Sequence, residues 1–244
     1  MPVLTRRRFL QLATAGGLAK MATACAVPDD QPMTNLPPST TPSRGRTVKN
    51  QDREDRNVRY YRPFVPPTPE EWRLTVNGLV SKTLVLSFSD IQELPAEEQD
   101  SRMKCVECWS FRARWGGFGM ASLLNSVQPT DKALAVRLTC GDGYWEVLTL
   151  QELLRERVLL AYRMDGEFLT EEYGSPLRLI VPWKYGYKGA KCITGLEFVP
   201  DLDAGYWSTV GPYTVQGDIQ VGFDHPQETG NQVRITTPGV ELTY

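Results

Sequence analysis

Two cysteines three residues apart, Cys105 and Cys108 in the stretch MKCVECWS, are the residues best suited to redox or metal chemistry. Dithiol redox sites use this C-x-x-C spacing, and so do half-sites for zinc or iron–sulfur clusters. Two further cysteines follow, Cys140 and Cys192, and one precedes, Cys25. The chemistry therefore depends on whether these thiols act as pairs, as a group of four or singly.

The spacing alone leaves three interpretations of the four later cysteines open. In the first, some of them form disulfides or pack in the core, because an exported protein ordinarily oxidises spare thiols. In the second, all four bind zinc or an iron–sulfur cluster, although the second C-x-x-C that is usual in such sites is missing. In the third, one thiolate binds a soft, high-valent metal and the other cysteines take no part.

A second candidate group lies in the stretch VPWKYGYKGAKC, residues 181–192. Here Lys184, Lys188 and Lys191 alternate with aromatic residues and glycines. Glycines let backbone N–H groups approach an anion closely, and Arg178 in the preceding segment adds a bidentate donor. The pattern predicts either a grip on the phosphate of a small anionic ligand or an exposed basic loop with aromatic anchors.

Histidine content and charge exclude or disfavour several other classes. His225 is the only histidine, so zinc sites with several histidines are excluded, and Ser-His-Asp or Cys-His catalysis would depend on that one residue. The formal charge is -2, and it becomes -6 without the four cations of the first 24 residues. A nucleic-acid partner is therefore disfavoured. The 244 residues, 41% hydrophobic, can bury a core.

The N-terminus predicts export. Arg6 and Arg7 precede Phe9 and a short, weakly apolar run, which is typical of a twin-arginine signal over residues 1–25. Cleavage before Cys25 would leave a lipid anchor there, whereas cleavage after the small-x-small motif ACA would leave none. We expect a periplasmic protein, or one held on the outer face of the cytoplasmic membrane. No other segment is apolar enough for a membrane-spanning helix.

Behind the signal, a disordered linker is expected over residues 26–50 and one compact domain over residues 51–244. Apolar alternation around Asn77-Gly78 predicts a hairpin turning there, and Ser89 is expected to cap a short helix. Further helices are predicted in GGFGMASLLNSVQP and LTLQELLRE, and strands in ALAVRLTC, YWEVLTL, RVLLAYRM and LRLIVP. Strands outnumber helices without regular alternation, which predicts an α+β fold with a mixed β-sheet.

Four stretches together resemble the molybdopterin-binding domain of the sulfite oxidase fold: MKCVECWS, WGGFGMASLL, GDGYWEVLTL and above all GSPLRLIVPWKYGYKGAKCITGLEFV. Within that fold, they are most similar to the catalytic subunits of bacterial protein-methionine-sulfoxide reductases. The resemblance implies a mononuclear molybdenum–molybdopterin cofactor. It also implies that Cys105 is the thiolate ligand of molybdenum and thus the catalytic residue. The implied contacts to the pterin phosphate are Arg178, Gly189, Ala190 and Lys191.

The resemblance extends to an N-terminal arm, whose Asn57, Tyr60 and Tyr61 correspond to family positions at the cofactor. Two further cofactor positions depart from the family pattern. Tyr173 stands where the sulfoxide enzymes have an asparagine, and Cys140 stands where they have a threonine. Cys108 replaces a residue that is commonly small, and strand alternation would point it away from the metal.

The activity implied is oxygen-atom transfer: reduction of methionine sulfoxide or similar sulfoxides with electrons from a membrane partner, a haem subunit. Two alternatives stay open, a sulfite-type oxidase that passes electrons to a cytochrome and a non-catalytic exported binding module. Arg112 and Arg114 would favour sulfite if they faced the metal, and a neutral sulfoxide if they were solvated surface charges.

Overall fold

Two five-stranded β-sheets form the framework of the chain in the computed structural model. The structure describes residues 64–106 and 110–219, together with the backbone of residues 223–224 and 233–234. In chain order the strands are β1 (Arg73–Gly78), β2 (Leu84–Ser87), β3 (Glu97–Lys104), β4 (Ser110–Phe118), β5 (Ala135–Cys140), β6 (Trp145–Thr149), β7 (Leu159–Met164), β8 (Glu167–Phe168), β9 (Arg178–Ile180), β10 (Ile193–Val199), β11 (Phe223–Asp224) and β12 (Val233–Arg234).

Short helices connect these strands. The α-helices are α1 (Phe88–Gln92), α2 (Ala121–Val127), α3 (Leu150–Leu153) and α4 (Tyr206–Val210). Single 3-10 turns lie at Glu171–Tyr173 and Gly186–Lys188. No helix among the described residues is both long and apolar enough to cross a membrane.

The first sheet has the strand order β2-β1-β10-β5-β6. Strand β1 runs parallel to β10, and the other neighbours are antiparallel. This is the mixed sheet that the pattern of strands and helices predicts. Its apolar face and the neighbouring helices form the main core, where Trp72, Leu138 and Phe198 are almost wholly buried. Trp72 also donates its indole N–H to the carbonyl of Ile193 at 2.9 Å, which satisfies a buried donor.

The second sheet has the order β3-β4-β7-β8, with β9 also paired to β7, and every pair is antiparallel. Side chains on β4 alternate between a buried face and an exposed face, as the two-residue period of a strand requires. The buried face belongs to a second core, here called the second-sheet cluster: Phe111, Ala113, Trp115, Leu159, Ala161, Leu169 and Ile180.

Most of the predicted elements are confirmed within a few residues of their expected bounds, but two local predictions are wrong. The hairpin of β1 and β2 turns over residues 79–83, while Asn77 and Gly78 still pair with β10. Gly78 has φ +88° and lies against the Phe198 backbone, so this glycine serves close strand approach and not a tight turn. The cap of α1 is Ser87 and not Ser89, because Ser87 forms a capping box with Asp90.

Two glycine substitutions test this role of Gly78. Both Gly78 and Gly143 have positive φ, but a Cβ on Gly143 would meet nothing, whereas one on Gly78 would overlap the Phe198 carbonyl oxygen. We expect Gly143→Ala to lower the free energy of unfolding by about 1–2 kcal/mol through backbone strain alone. Gly78→Ala should cost a further ~1–3 kcal/mol through overpacking. Equal losses in denaturant unfolding would contradict this account.

Candidate functional site

Cys105 lies at the junction of the second sheet and the loop that follows β9. Strand β3 ends at Lys104, so Cys105 is the first residue beyond it. Lys104 forms an isolated parallel bridge with Tyr185, which brings the two segments together. Cys105 is half-buried and packs against both the second-sheet cluster and a small loop cluster of Val106, Tyr185 and Tyr213. The thiol is therefore held between two groups of apolar side chains.

Arg178 lies in the same region as Cys105. It is on β9, with 1% of its surface exposed. Its Nη1 donates to the Tyr173 carbonyl at 3.0 Å, and its Nη2 contacts the Met103 sulfur at 3.2 Å. Its guanidinium carbon is 5.0 Å from the centroid of the Trp115 ring. Because Met103 is two residues before Cys105, the end of β3 fixes both the thiol and a neighbour of the guanidinium.

Lys191 is a second cation close to Arg178. Burial, and next to it the charge of Arg178, lower the pKa of Lys191 from 10.5 to about 7, whereas Asp142, Cys140 and Glu172 act in the opposite direction. The net shift means that the neutral amine is favoured here more than in water. A phosphate group beside both cations would reverse this shift, because it would favour the charged ammonium.

Gly189 and Ala190 join these two cations through the backbone. Leu179, next to Arg178, donates its N–H to the Ala190 carbonyl at 2.9 Å. A Cβ on Gly189 would lie 3.1 Å from the Leu179 carbonyl oxygen and 3.7 Å from Arg178 Nη2. The glycine thus keeps free the space beside the guanidinium, where a phosphate oxygen would need to approach.

Cys140 and Cys192 flank Lys191 in space, but neither is a thiolate. Burial and the charge of Asp142 raise the pKa of Cys140 well above its usual value, and the backbone N–H of Lys191 donates to its sulfur. Burial raises the pKa of Cys192 to about 11. None of the described cysteines forms a disulfide with another, so the disulfide interpretation finds no support among Cys105, Cys140 and Cys192.

The interpretation as a four-cysteine metal site also finds no support in the described part of the chain. No three His, Cys, Asp or Glu side chains come together there as a metal-binding group. Cys108 lies outside the described residues, so the predicted orientation of its thiol stays a prediction. Since β3 ends at Lys104, alternation along one strand is not a valid argument for the orientation of Cys108.

The comparison with known families decides what kind of site this is. A family model described as the oxidoreductase molybdopterin binding domain matches residues 62–207, more than half of the chain. The chain belongs to this family. Membership confirms the predicted molybdenum–molybdopterin cofactor of this molybdopterin-binding domain.

Similar curated proteins include three called protein-methionine-sulfoxide reductase catalytic subunit MsrP. They come from Campylobacter jejuni, Ralstonia nicotianae and Burkholderia mallei and are 31%, 32% and 34% identical to this chain over 177 residues. The matches cover 65% of this chain and 60%, 54% and 54% of the respective relatives. These relatives belong to the group of sulfoxide reductase subunits that the sequence motifs resemble.

A solved structure shares the fold. The crystal structure of the sulfane dehydrogenase SoxCD from Paracoccus pantotrophus matches with a TM-score of 0.56 and 20% sequence identity. The match covers 59% of this chain and 42% of that chain. Together with the family match, it confirms the predicted α+β, sulfite oxidase-type domain.

The residues at the site fit a molybdopterin. Cys105 offers a soft sulfur donor, which is a suitable ligand for the molybdenum of the cofactor. Coordination to the metal would itself hold Cys105 as a thiolate. Arg178 and Lys191 would hold the pterin phosphate, with Gly189 and Ala190 supplying backbone beside it. Cys140 is joined to this group through its hydrogen bond from Lys191. These assignments remain predictions, to which the geometry gives a common location.

Tyr173 reaches the same group from the 3-10 turn before β9. Its carbonyl accepts a hydrogen bond from Arg178, and its ring packs on the second-sheet cluster, with its centroid 6.4 Å from that of Phe111. Cys105 packs on the same cluster. Tyr173 therefore lies next to the residues that are predicted to hold the cofactor, with a ring in place of the shorter amide of the family pattern.

The arm residues Asn57, Tyr60 and Tyr61 lie outside the described residues, as does His225. The first described residue of that segment, Phe64, packs its ring on Gly141, since a Cβ there would overlap the ring. Gly141 follows Cys140 directly. Phe64 therefore lies beside Cys140, and the cofactor contacts of the arm residues stay predictions.

Both interpretations of the basic segment are wrong for Lys184 and Lys188. These residues are 2% and 1% exposed, so they form neither an exposed loop nor a grip on a ligand. Lys188 is held in a buried ion pair with Glu146, and the buried Lys184 pairs with the partly exposed Glu152. An acid within the apolar run YWEVLTL was the sequence signal for such a pair, because a buried carboxylate requires a partner.

The unusual environment of Lys191 gives a pH-dependent prediction for protein made without cofactor. The folded lysine has a pKa of about 7 and the unfolded one about 10.5, so the unfolded state binds more protons between these values. Stability should therefore rise with pH across that window. We expect Lys191→Met to raise the melting temperature more at about pH 6.5 than at about pH 9.

The matched control is Lys132→Met, at an exposed lysine. It should shift the melting temperature by a similar small amount at both pH values. A Lys191→Met effect that is the same at both values would contradict a lowered pKa for this side chain.

Proposed function

We propose that this molybdopterin-binding domain is an oxidoreductase that reduces methionine sulfoxide or similar sulfoxides by oxygen-atom transfer. The sulfoxide belongs to a protein or to a small molecule. The observation that carries the proposal is the placement of Cys105 at the end of β3, beside the segment that holds Arg178. The names of the three MsrP relatives support sulfoxide as the substrate class. The assignment is a proposal because the chain spans little more than half of those proteins.

Each residue at the site has a separate task in this proposal. When bound, the cofactor supplies the redox chemistry by which a sulfoxide, two electrons and two protons give a thioether and water. Cys105 contributes the protein ligand to the metal. Arg178 and Lys191 hold the phosphate end, so that the cofactor is fixed at two separated points. The apolar side chains around Cys105 limit the access of water to the thiolate.

The exposed arginines support a neutral substrate over sulfite. Arg112 and Arg114 lie on the exposed face of β4, whereas Phe111, Ala113 and Trp115 face the cluster that contacts Cys105. Arg114 pairs with Glu98 at 2.6 Å, and both side chains are more than half exposed. On this face the two arginines add no cation to the pocket of the thiolate, so they do not attract an anionic substrate to it.

Export and electron supply are part of the proposal and rest on the sequence. The twin-arginine segment around Arg6 and Arg7 supports export to the periplasm or to the outer face of the cytoplasmic membrane, with Cys25 as a lipid anchor if cleavage precedes it. The chain has no C-x-x-C-H haem motif. We therefore propose a membrane haem subunit as the electron donor.

Cys105→Ser tests the role of the thiolate. We expect sulfoxide turnover with a reduced viologen dye to fall by more than about 100-fold, beyond the loss that an outer partner of a metal ligand causes. Molybdenum content measured by elemental analysis reports cofactor loading in the same preparation. Cys108→Ala is the control, and it should keep both molybdenum and turnover.

Other outcomes point to the alternatives. Turnover that survives Cys105→Ser would favour a binding module with an unrelated background activity. Sulfite-dependent reduction of a cytochrome, without sulfoxide turnover, would identify a sulfite-type oxidase. Loss of molybdenum in Cys108→Ala would restore the interpretation in which the two thiols act as a pair.

Replacing both Arg6 and Arg7 by lysine tests export. Twin-arginine recognition needs the arginine pair, so we expect the double variant to stay in the cytoplasmic fraction of the expressing cell, with its cofactor bound. Arg8→Lys keeps the pair and should be exported like the wild type. Cell fractionation with immunoblotting measures both, and equal export of the two variants would remove the basis for this route.

A further inference from the structure

Two buried lysines fasten the loop that carries the cofactor residues. The loop of residues 183–191, here called the cradle loop, contains Lys184 and Lys188 and ends with Gly189, Ala190 and Lys191. A second segment, residues 213–219, runs beside it and is here called the strap. Each lysine connects the cradle loop to the body of the domain on one side and to the strap on the other.

Lys188 uses all three of its N–H groups within the protein. Its Nζ donates to Glu146 Oε1 at 2.5 Å, to the Val147 carbonyl at 3.0 Å and to the Val215 carbonyl at 2.7 Å. The side chains of Lys188 and Glu146 are 1% and 0% exposed. Glu146 and Val147 are on β6, whereas Val215 belongs to the strap. The ammonium group of Lys188 therefore connects the cradle loop to both β6 and the strap.

Lys184, four residues earlier in the sequence, makes a similar set of contacts. Its Nζ contacts Glu152 Oε1 on α3 at 2.6 Å, and Asp218 Oδ1 and the Gln216 carbonyl of the strap at 2.8 and 2.6 Å. Burial opposes ionisation of Glu152, but hydrogen bonds from Lys184 and Thr149 outweigh it and lower the pKa of this carboxyl. Both lysines thus bridge the same two parts of the molecule.

Backbone contacts join the strap and the cradle loop along their length. The N–H of Tyr185 donates to the Gly217 carbonyl at 2.8 Å, and the N–H of Ile219 donates to the Trp183 carbonyl at 3.0 Å. Tyr144 on the body adds another contact, since its hydroxyl donates to the Tyr187 carbonyl at 2.5 Å. The turn at residues 186–188 is therefore held from three sides.

The same turn leads directly into the cofactor residues. The N–H of Gly189 donates to the Gly186 carbonyl at 3.0 Å, and that of Ala190 donates to the Lys188 carbonyl at 3.2 Å. Any movement of Lys188 would therefore change the backbone beside Arg178, because Leu179 is bonded to Ala190. The position of Gly189 relative to the guanidinium depends on where the Lys188 ammonium is anchored.

A buried ion pair is a poor way to gain stability. Burial raises the pKa of Glu146 and lowers that of Lys188, and the charge of each partner opposes the shift. Replacing such a pair by apolar residues is often neutral or stabilising, because the desolvation cost disappears with the charges. What apolar residues cannot supply is the set of directed hydrogen bonds to Glu146, Val147 and Val215.

We propose that Lys188 and Glu146 are positioning residues, whose buried ion pair holds the cradle loop in the geometry that grips the phosphate of the molybdopterin. The inference rests on the cofactor that family membership gives and not on the proposed sulfoxide substrate. The pair acts through Gly189, Ala190 and Lys191 and does not touch the cofactor itself. The pair of Lys184 and Glu152 supports the same loop from its other end.

The test compares the wild type with a double variant that carries both Glu146→Leu and Lys188→Met. Both proteins are prepared as holoenzyme from a host that makes the cofactor. The double variant removes both charges and keeps apolar volume, so its melting temperature should equal or exceed that of the wild type. Its loss of molybdenum and pterin during dialysis should nevertheless be about 10-fold faster or more, the effect typical of a lost supporting contact around a metal site. Elemental analysis and pterin fluorescence measure the loss without any turnover assay.

Tyr144→Phe is a milder second variant, in case the double variant does not fold. It removes only the hydroxyl, which donates to the Tyr187 carbonyl and also lies 3.3 Å from Glu146 Oε2, and pterin loss should rise by about 2- to 12-fold, the range that one hydrogen bond corresponds to. Glu98→Gln breaks an exposed ion pair on the other sheet and should leave pterin loss unchanged. Cofactor retention equal to that of the wild type in both test variants would overturn the proposal, and so would retention that merely follows the melting temperature.

Discussion

The four cations of residues 178–191, Arg178, Lys184, Lys188 and Lys191, are wholly or partly withdrawn from water, and the site is arranged around that constraint. A charge in a protein interior needs a partner or strong hydrogen bonds, because desolvation otherwise costs several kcal/mol. Two of the cations are neutralised by acids on β6 and α3. The other two, Arg178 and Lys191, lie close enough together for the charge of Arg178 to lower the pKa of Lys191. Within one stretch of 14 residues, this division separates two lysines paired inside the protein from the two cations that are predicted to bind the pterin phosphate.

The two sheets contribute different parts of this arrangement. The second sheet supplies Cys105 at the end of β3, and Arg178 on β9 with Met103 and Trp115 around its guanidinium. The first sheet supplies Cys140 at the end of β5, whose sulfur accepts a hydrogen bond from the backbone N–H of Lys191, two residues before β10. The cradle loop crosses from one sheet to the other. A cofactor bound by Cys105 and by the phosphate residues would therefore lie across the junction of the sheets, and its binding would depend on the loop that joins them.

The sequence predicted several elements of both sheets well, because their signals are local. Strands β5, β6 and β7 are apolar runs bounded by glycine and aspartate turns, and helix α2 lies between glycines and a proline. Strand β3, by contrast, has the sequence EEQDSRMK, which has no apolar alternation, and only its pairing with β4 makes it a strand. The prediction of a turn at Asn77-Gly78 was wrong for a similar reason. Contact with β10, more than 100 residues later in the chain, determines the conformation of Gly78.

What the sequence by itself determined is the family and the chemistry, since a cysteine in MKCVECWS and the long block around GSPLRLIVPWKYGYKGAKC are enough to indicate a molybdopterin site. What only the tertiary structure decided is which cations of that block are paired inside the protein. Lys184, Lys188 and Lys191 have equivalent neighbours in sequence, but Glu146, Glu152 and the strap withdraw the first two into the protein. The physical reason is that burial of a charge is decided by its partners, and these partners lie about 30 to 40 residues away in the chain.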